Sequence, residues 1–136
     1  VLISPYVRRV IGIEESASAI EDAAENLNGR ENVEFIEGKT EDVMTDWQEA
    51  DDVDVLILDP PRVGCHPDVL DSVKTLKPKK VLMVSCEPAA MARDLDLLCG
   101  DQTYQLDVVR PVDMFPQTRH VETISLLSLH QDQGQK

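Results

Sequence analysis

Short apolar runs rich in Val and Ile alternate along this chain with segments that repeat apolar residues three and four positions apart. The runs are typical of strands buried on both faces of a sheet, and the other spacing is typical of helices packed against it. We therefore predict an α/β fold with strands at 9–14, 32–38, 53–61, 79–86, 104–112 and 121–129. Helices are expected at 41–50, 66–76 and 88–98, and a further one from a Ser18/Glu21 capping box to Asn28-Gly29.

The last two predicted strands are separated only by "DMFPQTR", which leaves no room for a crossover helix. We expect them to pair antiparallel, so the sheet is mostly parallel with an antiparallel last strand. Residues 1–130 are predicted to form one domain, and the polar segment 131–136 is predicted to be a disordered tail.

Charge and cysteine usage limit the possible functions. The chain has 26 acidic and 13 basic residues, a formal charge of -13, so composition by itself does not favour nucleic-acid binding. Cys65, Cys86 and Cys99 form no CxxC pair, and we expect no disulfide framework and no metal site. No stretch resembles a membrane span or a signal peptide, and we predict a cytoplasmic protein.

Three residues at predicted strand ends are candidates for a site, because ligands of open α/β sheets bind beyond the carboxyl ends of the strands. Glu14 either accepts hydrogen bonds from ribose hydroxyls or only favours the following helix. Asp59 precedes two prolines that stiffen its loop, so it is either a rigid acceptor or a capping residue. Cys86 faces a helix start that favours its thiolate, although a packing role is also open.

Glu122 opens the last predicted strand, ahead of the apolar run "TISLL". A carboxylate at this position is either a solvated strand start or, if it faces the cleft, a proton acceptor. From the residues alone both interpretations stay open.

The segments "LDPPRVG" (58–64), "VSCEPAAMARDL" (84–95) and "PVDMFPQTRHVE" (111–122) together resemble the C-terminal catalytic domain of the RNA uracil-5-methyltransferases. "VIGIEESASAIEDAAENLN" (10–28) is similar to the strand and helix that follow this family's glycine-rich loop. The resemblance implies a Rossmann-like class I methyltransferase core, S-adenosylmethionine as cofactor, and tRNA or rRNA as substrate.

The resemblance also implies roles for individual residues. Cys86 matches the nucleophile that adds to carbon 6 of uracil, and Glu122 matches the base that removes the carbon 5 proton. Asp59 matches the aspartate that lies beside the cofactor and the target base. Arg62 matches a residue that places the base or a phosphate. Glu14 matches the acidic residue that holds the cofactor ribose.

The sequence departs from the family pattern at its beginning. Nothing before Val10 resembles the family's first strand and glycine-rich loop, and this strand lies centrally in the fold. We therefore expect a fragment that is inactive alone and binds S-adenosylmethionine weakly or not at all, with most RNA contacts supplied from upstream regions and a monomeric state. At Lys39 the family often has an acidic residue near the adenine.

Two alternatives remain. One is an amino-methyltransferase of the acidic-Pro-Pro type, in which an aromatic ring stands where this chain has Arg62 and no thiol is needed. The other is a truncated, non-catalytic methyltransferase-like domain that binds a partner through its acidic surface.

Overall fold

The structure is a computed structural model that describes residues 2–47 and 53–130. It divides into two compact units, residues 1–48 and 49–136, and the predicted tail 131–136 lies outside the described residues. A 3-10 helix spans Ser4–Tyr6. The strands are β1 Val10–Glu14, β2 Val33–Glu37, β3 Val55–Leu58, β4 Lys80–Ser85, β5 Tyr104–Val112 and β6 Glu122–Leu129, and the helices are α1 Ala17–Asn26, α2 Thr40–Thr45, α3 Pro67–Leu76 and α4 Pro88–Cys99.

In the first unit, β1 and β2 pair in parallel, from Val10 opposite Val33 to Glu14 opposite Glu37. Gly12 lies against the ring of Phe35, where a Cβ atom would come within 2.6 Å of a ring carbon. The absence of a side chain at this position therefore allows the phenyl ring to pack directly on β1.

The start of α1 corrects the predicted capping box. The N-cap is Ser16, whose Oγ accepts a hydrogen bond from the Ala19 backbone N at 3.4 Å. Ser16 has extended backbone angles, so the helix begins at Ala17 and Ser18 lies within its first turn. The predicted stop is confirmed, because Asn28 and Gly29 both have positive φ.

The second predicted helix is shorter than expected. Helix α2 ends at Thr45, and Trp47 lies beyond it, while residues 48–50 of the predicted range are outside the described part of the chain. Asp46, which follows the helix, has ψ near 2° and departs from helical geometry.

The second unit contains a four-stranded sheet in the order β3-β4-β6-β5. Strands β3 and β4 are parallel, and β6 is antiparallel to both β4 and β5. The predicted antiparallel last strand is thus confirmed, although it lies inside the sheet and β5 forms the edge. The core contains the fully buried side chains of Val73, Val81, Met83, Leu98 and Leu127.

The prediction of strands buried on both faces is wrong for β3. Val55 and Ile57 are 54% and 49% exposed, although the strand is apolar throughout. The same alternation occurs in β4, where Val81 and Met83 are buried and Leu82 and Val84 only partly so. Within this unit the helices cover one face of the sheet, so every second side chain stays accessible.

Candidate active site

Two sequence-predicted site residues follow neighbouring parallel strands. Asp59 comes directly after β3 and Cys86 directly after β4, and the two strands are in register up to Leu58 opposite Met83. Parallel strands have their carboxyl ends at the same end of the sheet, so the fold brings both residues to that end. Asp59 is exposed and Cys86 is partly buried.

Glu122 is brought to this end of the sheet by the antiparallel pairing of β4 with β6. The last pair of that ladder joins Ser85 to Thr123, and Cys86 and Glu122 are the next residues on the two strands. Cys86 lies outside β4, one step past the last pair of the ladder, at the same end of the sheet as Glu122. The register therefore brings a thiol and a carboxylate together from distant parts of the chain, and both are partly buried.

A buried hydroxyl fixes the turn that carries Cys86. Ser85, which is 2% exposed, accepts a hydrogen bond at Oγ from the Glu87 backbone N at 3.1 Å. The same hydroxyl is 3.2 Å from the Glu87 carbonyl oxygen, to which it donates. Both bonds span Cys86, and Pro88 then begins α4 with its φ already suited to a helix.

The loop after β3 is held by two side chains of α4. The fully buried Asp94 accepts a hydrogen bond at Oδ2 from the Cys65 backbone N at 2.7 Å. Arg93 donates from Nη2 to the Val63 carbonyl oxygen at 2.9 Å, and its Nε and Nη2 also donate to Asp94 Oδ1 at 3.0 and 2.7 Å. The loop is thus anchored on both sides of Gly64.

Sequence reasoning assigned Arg93 and Asp94 no role and treated their segment only as a packed helix. A signal was present, because Asp94 occupies the apolar stripe of α4 with Met91, Leu95 and Leu98. A carboxylate at such a position indicates a buried partner, since an unpaired buried charge is strongly unfavourable.

Arg62 is exposed and makes no hydrogen bond or ion pair with another residue in the described part of the chain. The carboxylate of Asp59 is also exposed, and it makes no hydrogen bond or ion pair with another residue within 2–47 and 53–130. Both charged groups at the start of this loop are therefore available to a ligand.

Glu14 belongs to the first unit and ends β1, as predicted. Its Oε1 accepts a hydrogen bond from the Ser16 backbone N at 2.8 Å, and its carbonyl oxygen accepts one from Gly38 N at 3.0 Å. Among the described residues, Oε2 has no hydrogen-bond partner. The carboxylate is thus held by one oxygen and can accept further hydrogen bonds with the other.

The three cysteines are free thiols. Burial, reinforced by the charge of Asp94 and a hydrogen bond to it, raises the pKa of the Cys65 thiol to about 12. Burial, with Asp101 and Asp96 nearby, also raises the pKa of Cys99. Both thiols therefore stay protonated near neutral pH and are poor nucleophiles.

Within residues 2–47 and 53–130, no cluster of three or more His, Cys, Asp or Glu side chains could hold a metal ion. None of the helices described reaches the length and apolarity that a membrane span requires.

A family model described as tRNA (Uracil-5-)-methyltransferase matches residues 1–130. Two uncharacterized RNA methyltransferases, from Oceanobacillus iheyensis and Thermosynechococcus vestitus, are 45% and 48% identical over 130 and 124 residues. The alignments cover 93% and 90% of this chain, but only 28% and 27% of the relatives. The chain therefore spans little more than a quarter of the length of these proteins.

Among solved structures, a tRNA (uracil-54, C5)-methyltransferase from Pyrococcus abyssi in complex with S-adenosyl-L-homocysteine superposes with a TM-score of 0.73 at 32% identity. That match covers 88% of this chain and 28% of the other. An rRNA methylase from Streptococcus thermophilus reaches a TM-score of 0.71 at 12% identity, over 95% of this chain and 78% of its own. These likenesses confirm the predicted Rossmann-like methyltransferase fold.

Proposed function

This chain belongs to the tRNA (uracil-5-)-methyltransferase family, and from that we propose that the protein containing it methylates carbon 5 of a uridine in tRNA or rRNA. The observation that carries the proposal is the β4–β6 register, in which Cys86 and Glu122 follow the Ser85–Thr123 pair. Methylation at carbon 5 through a covalent adduct needs a nucleophile and a base close together, and this pair provides both groups.

The nucleophile is Cys86. Carbon 5 of uracil is a poor nucleophile, so the thiolate first adds to carbon 6: a sulfur–carbon bond forms and the π electrons of the ring move onto the carbonyl oxygen as an enolate. The hydrogen-bonded turn of Ser85 and Glu87 holds the sulfur at the strand end, where a base swung out of its RNA stack can reach it.

The base is Glu122. After carbon 5 has gained the methyl group, the Glu122 carboxylate removes the proton from carbon 5. The electron pair of the broken C–H bond re-forms the carbon 5–carbon 6 double bond and expels the Cys86 thiolate. Glu122 is partly buried, which limits competition from solvent.

Asp59 and Arg62 bind the target in this proposal. The Asp59 carboxylate accepts a hydrogen bond from the uracil imide N–H, and Arg62 contacts the base or a neighbouring phosphate. Their lack of partners in the described part of the chain supports these roles, because neither group must first break an internal hydrogen bond.

The residues of the first unit fit S-adenosylmethionine at Glu14. The Ser16 amide orients the carboxylate through Oε1, and Oε2 can accept hydrogen bonds from a ribose, which presents two neighbouring hydroxyl donors. The cofactor contact of Asp59 stays a prediction from the sequence. When bound, S-adenosylmethionine supplies the electrophilic methyl group that carbon 5 takes up.

RNA is the proposed partner, although the chain carries a formal charge of -13. The relatives are more than three times as long as the part that aligns, and we propose that their remaining length supplies most RNA contacts. The monomeric state and the cytoplasmic location stay predictions.

A trapped adduct tests the proposal. The complete protein is incubated with S-adenosylmethionine and RNA containing 5-fluorouridine, in which fluorine replaces the proton that must leave carbon 5. We expect intact-mass spectrometry to detect a protein–RNA adduct that is absent in Cys86→Ala and present in the matched control Cys99→Ser. If the protein binds cofactor and RNA but forms no adduct, the covalent mechanism is wrong, and an amino-methyltransferase or a non-catalytic domain takes its place.

A further inference from the structure

Asp94 is fully buried on the apolar face of α4, where an aliphatic side chain would pack at lower cost. Its carboxylate accepts hydrogen bonds from the Cys65 backbone N–H and from the Arg93 guanidinium. Burying a carboxylate is energetically costly, and Asp94 contacts the loop after β3. Asp94 therefore has a role beyond filling the core.

The loop that Asp94 contacts carries two of the proposed binding residues. Gly64 donates its backbone N–H to the Pro61 carbonyl oxygen at 2.8 Å, which closes a turn over residues 61–64. Arg62 lies within this turn, and Asp59 precedes it by two residues. Arg93 binds the carbonyl on one side of Gly64 and Asp94 binds the amide on the other. A displacement of either side chain would therefore move the turn.

Gly64 shows how close this contact is. Its φ is +90°, and a Cβ atom there would clash with Arg93 Nη2 and lie 2.7 Å from Asp94 Oδ2. Only glycine combines this backbone angle with so short an approach. Since a prolyl ring fixes φ at Pro60 and Pro61, few backbone rotations remain free between β3 and the anchored residues.

Helix α4 begins two residues after Cys86, so it also holds the proposed nucleophile. We propose that Arg93 and Asp94 form a clasp, two positioning residues that fix Asp59 and Arg62 relative to the Cys86 thiol. The inference rests on the proposed function. Neither clasp residue touches the substrate; the clasp acts by keeping the base-binding loop and the thiol in one geometry.

The expected effect is on the chemical step. Misplacement of a reacting group by about 1 Å can cost about 100-fold in rate. In the complete protein, Arg93→Lys replaces a planar guanidinium with several N–H donors by a single ammonium. Asp94→Asn turns an amide N–H toward one of the two residues that donate to Asp94, so that one hydrogen bond is lost. We expect each variant to lower the single-turnover methylation rate at saturating RNA and cofactor about 10- to 100-fold, with both dissociation constants within about twofold of wild type.

Two controls separate positioning from stability. Asp96→Asn makes the same chemical change on an exposed part of α4 and should leave the rate unchanged. Leu98→Val loosens the packing of α4 without removing a hydrogen bond to the loop, and should lower the melting temperature more than the rate. The Arg93 side chain is 54% exposed, so Arg93→Lys stays informative even if Asp94→Asn does not fold.

The outcomes separate the two proposals. A wild-type protein that binds cofactor and RNA but forms no adduct with 5-fluorouridine RNA refutes the proposed covalent mechanism, on which the clasp rests. A wild-type protein that forms the adduct, together with an Arg93→Lys rate within twofold of wild type, refutes the clasp alone. A rate loss in Arg93→Lys that merely matches that of Leu98→Val at equal loss of melting temperature also refutes it, because positioning predicts a larger loss.

Discussion

Cys86 and Glu122 are the first residues beyond the Ser85–Thr123 pair, at which the antiparallel ladder of β4 and β6 ends. The sequence separates them by a helix, a strand and a loop, and the sheet returns them to neighbouring positions. This relationship gives the proposed chemistry its nucleophile and its base. Substitutions of Cys86 and of Glu122 should therefore block different steps of the reaction.

Replacing the carboxylate by an amide should stop the reaction after adduct formation. Glu122→Gln retains the shape of the side chain but cannot accept the carbon 5 proton, so we expect turnover to fall about 10²- to 10⁴-fold. With ordinary uridine RNA and cofactor, the adduct should accumulate and be detectable by intact-mass spectrometry. Glu87→Gln, an exposed neighbour in the turn, is the matched control; equal turnover in the two variants would contradict the assignment.

Two buried serines on neighbouring strands should respond differently to alanine. Ser85→Ala removes both bonds to Glu87 and should destabilise the protein by about 1 kcal/mol. Ser125 is fully buried, and its Oγ has no hydrogen-bond partner among the described residues, so Ser125→Ala should be neutral or stabilising by about 1 kcal/mol. Urea denaturation of the complete protein measures both changes. An equal loss of unfolding free energy in the two variants would contradict the stabilising role of the Ser85 hydrogen bonds.

Gly64→Ala should cost more stability than Gly29→Ala. Both glycines have positive φ, at +90° and +77°, so alanine introduces backbone strain of about 1 kcal/mol or more at each. Only at Gly64 does the added Cβ atom also meet other atoms, at Arg93 and Asp94, whereas nothing lies within 4 Å of it at Gly29. Melting temperatures that fall equally would show that the loop relaxes away from α4.

Cys65 should react slowly with iodoacetamide. Burial and the nearby Asp94 raise its pKa from 9.0 to about 12, so at pH 8 its thiolate fraction is about a thousandfold below that of an ordinary thiol. Mass-spectrometric peptide mapping against a reduced model peptide measures the rate. Asp94→Asn should accelerate labelling, and rapid labelling of the wild-type thiol would contradict the expectation.

The same pKa shift affects stability in a defined direction. Because the fold favours the neutral form of Cys65, its contribution to stability is complete below about pH 9 and is lost as the pH rises toward 12. Cys65→Ser should therefore flatten the alkaline part of the stability profile, as followed by urea denaturation between pH 8 and pH 11.

The sequence by itself determined the element types, the antiparallel last strand and the turns at Asn28-Gly29 and after β3, because periodicity, prolines and positive-φ residues act within a few positions of one another. Local patterns did not specify which serine caps α1, since Ser16 and Ser18 both suit the position.

Only the tertiary structure decided that Cys86 and Glu122 follow one strand pair, that Asp94 enters the core to hold a loop, and that one face of β3 stays exposed. Each depends on hydrogen bonds and packing between segments far apart in the chain, and the resulting register is a property of the assembled sheet.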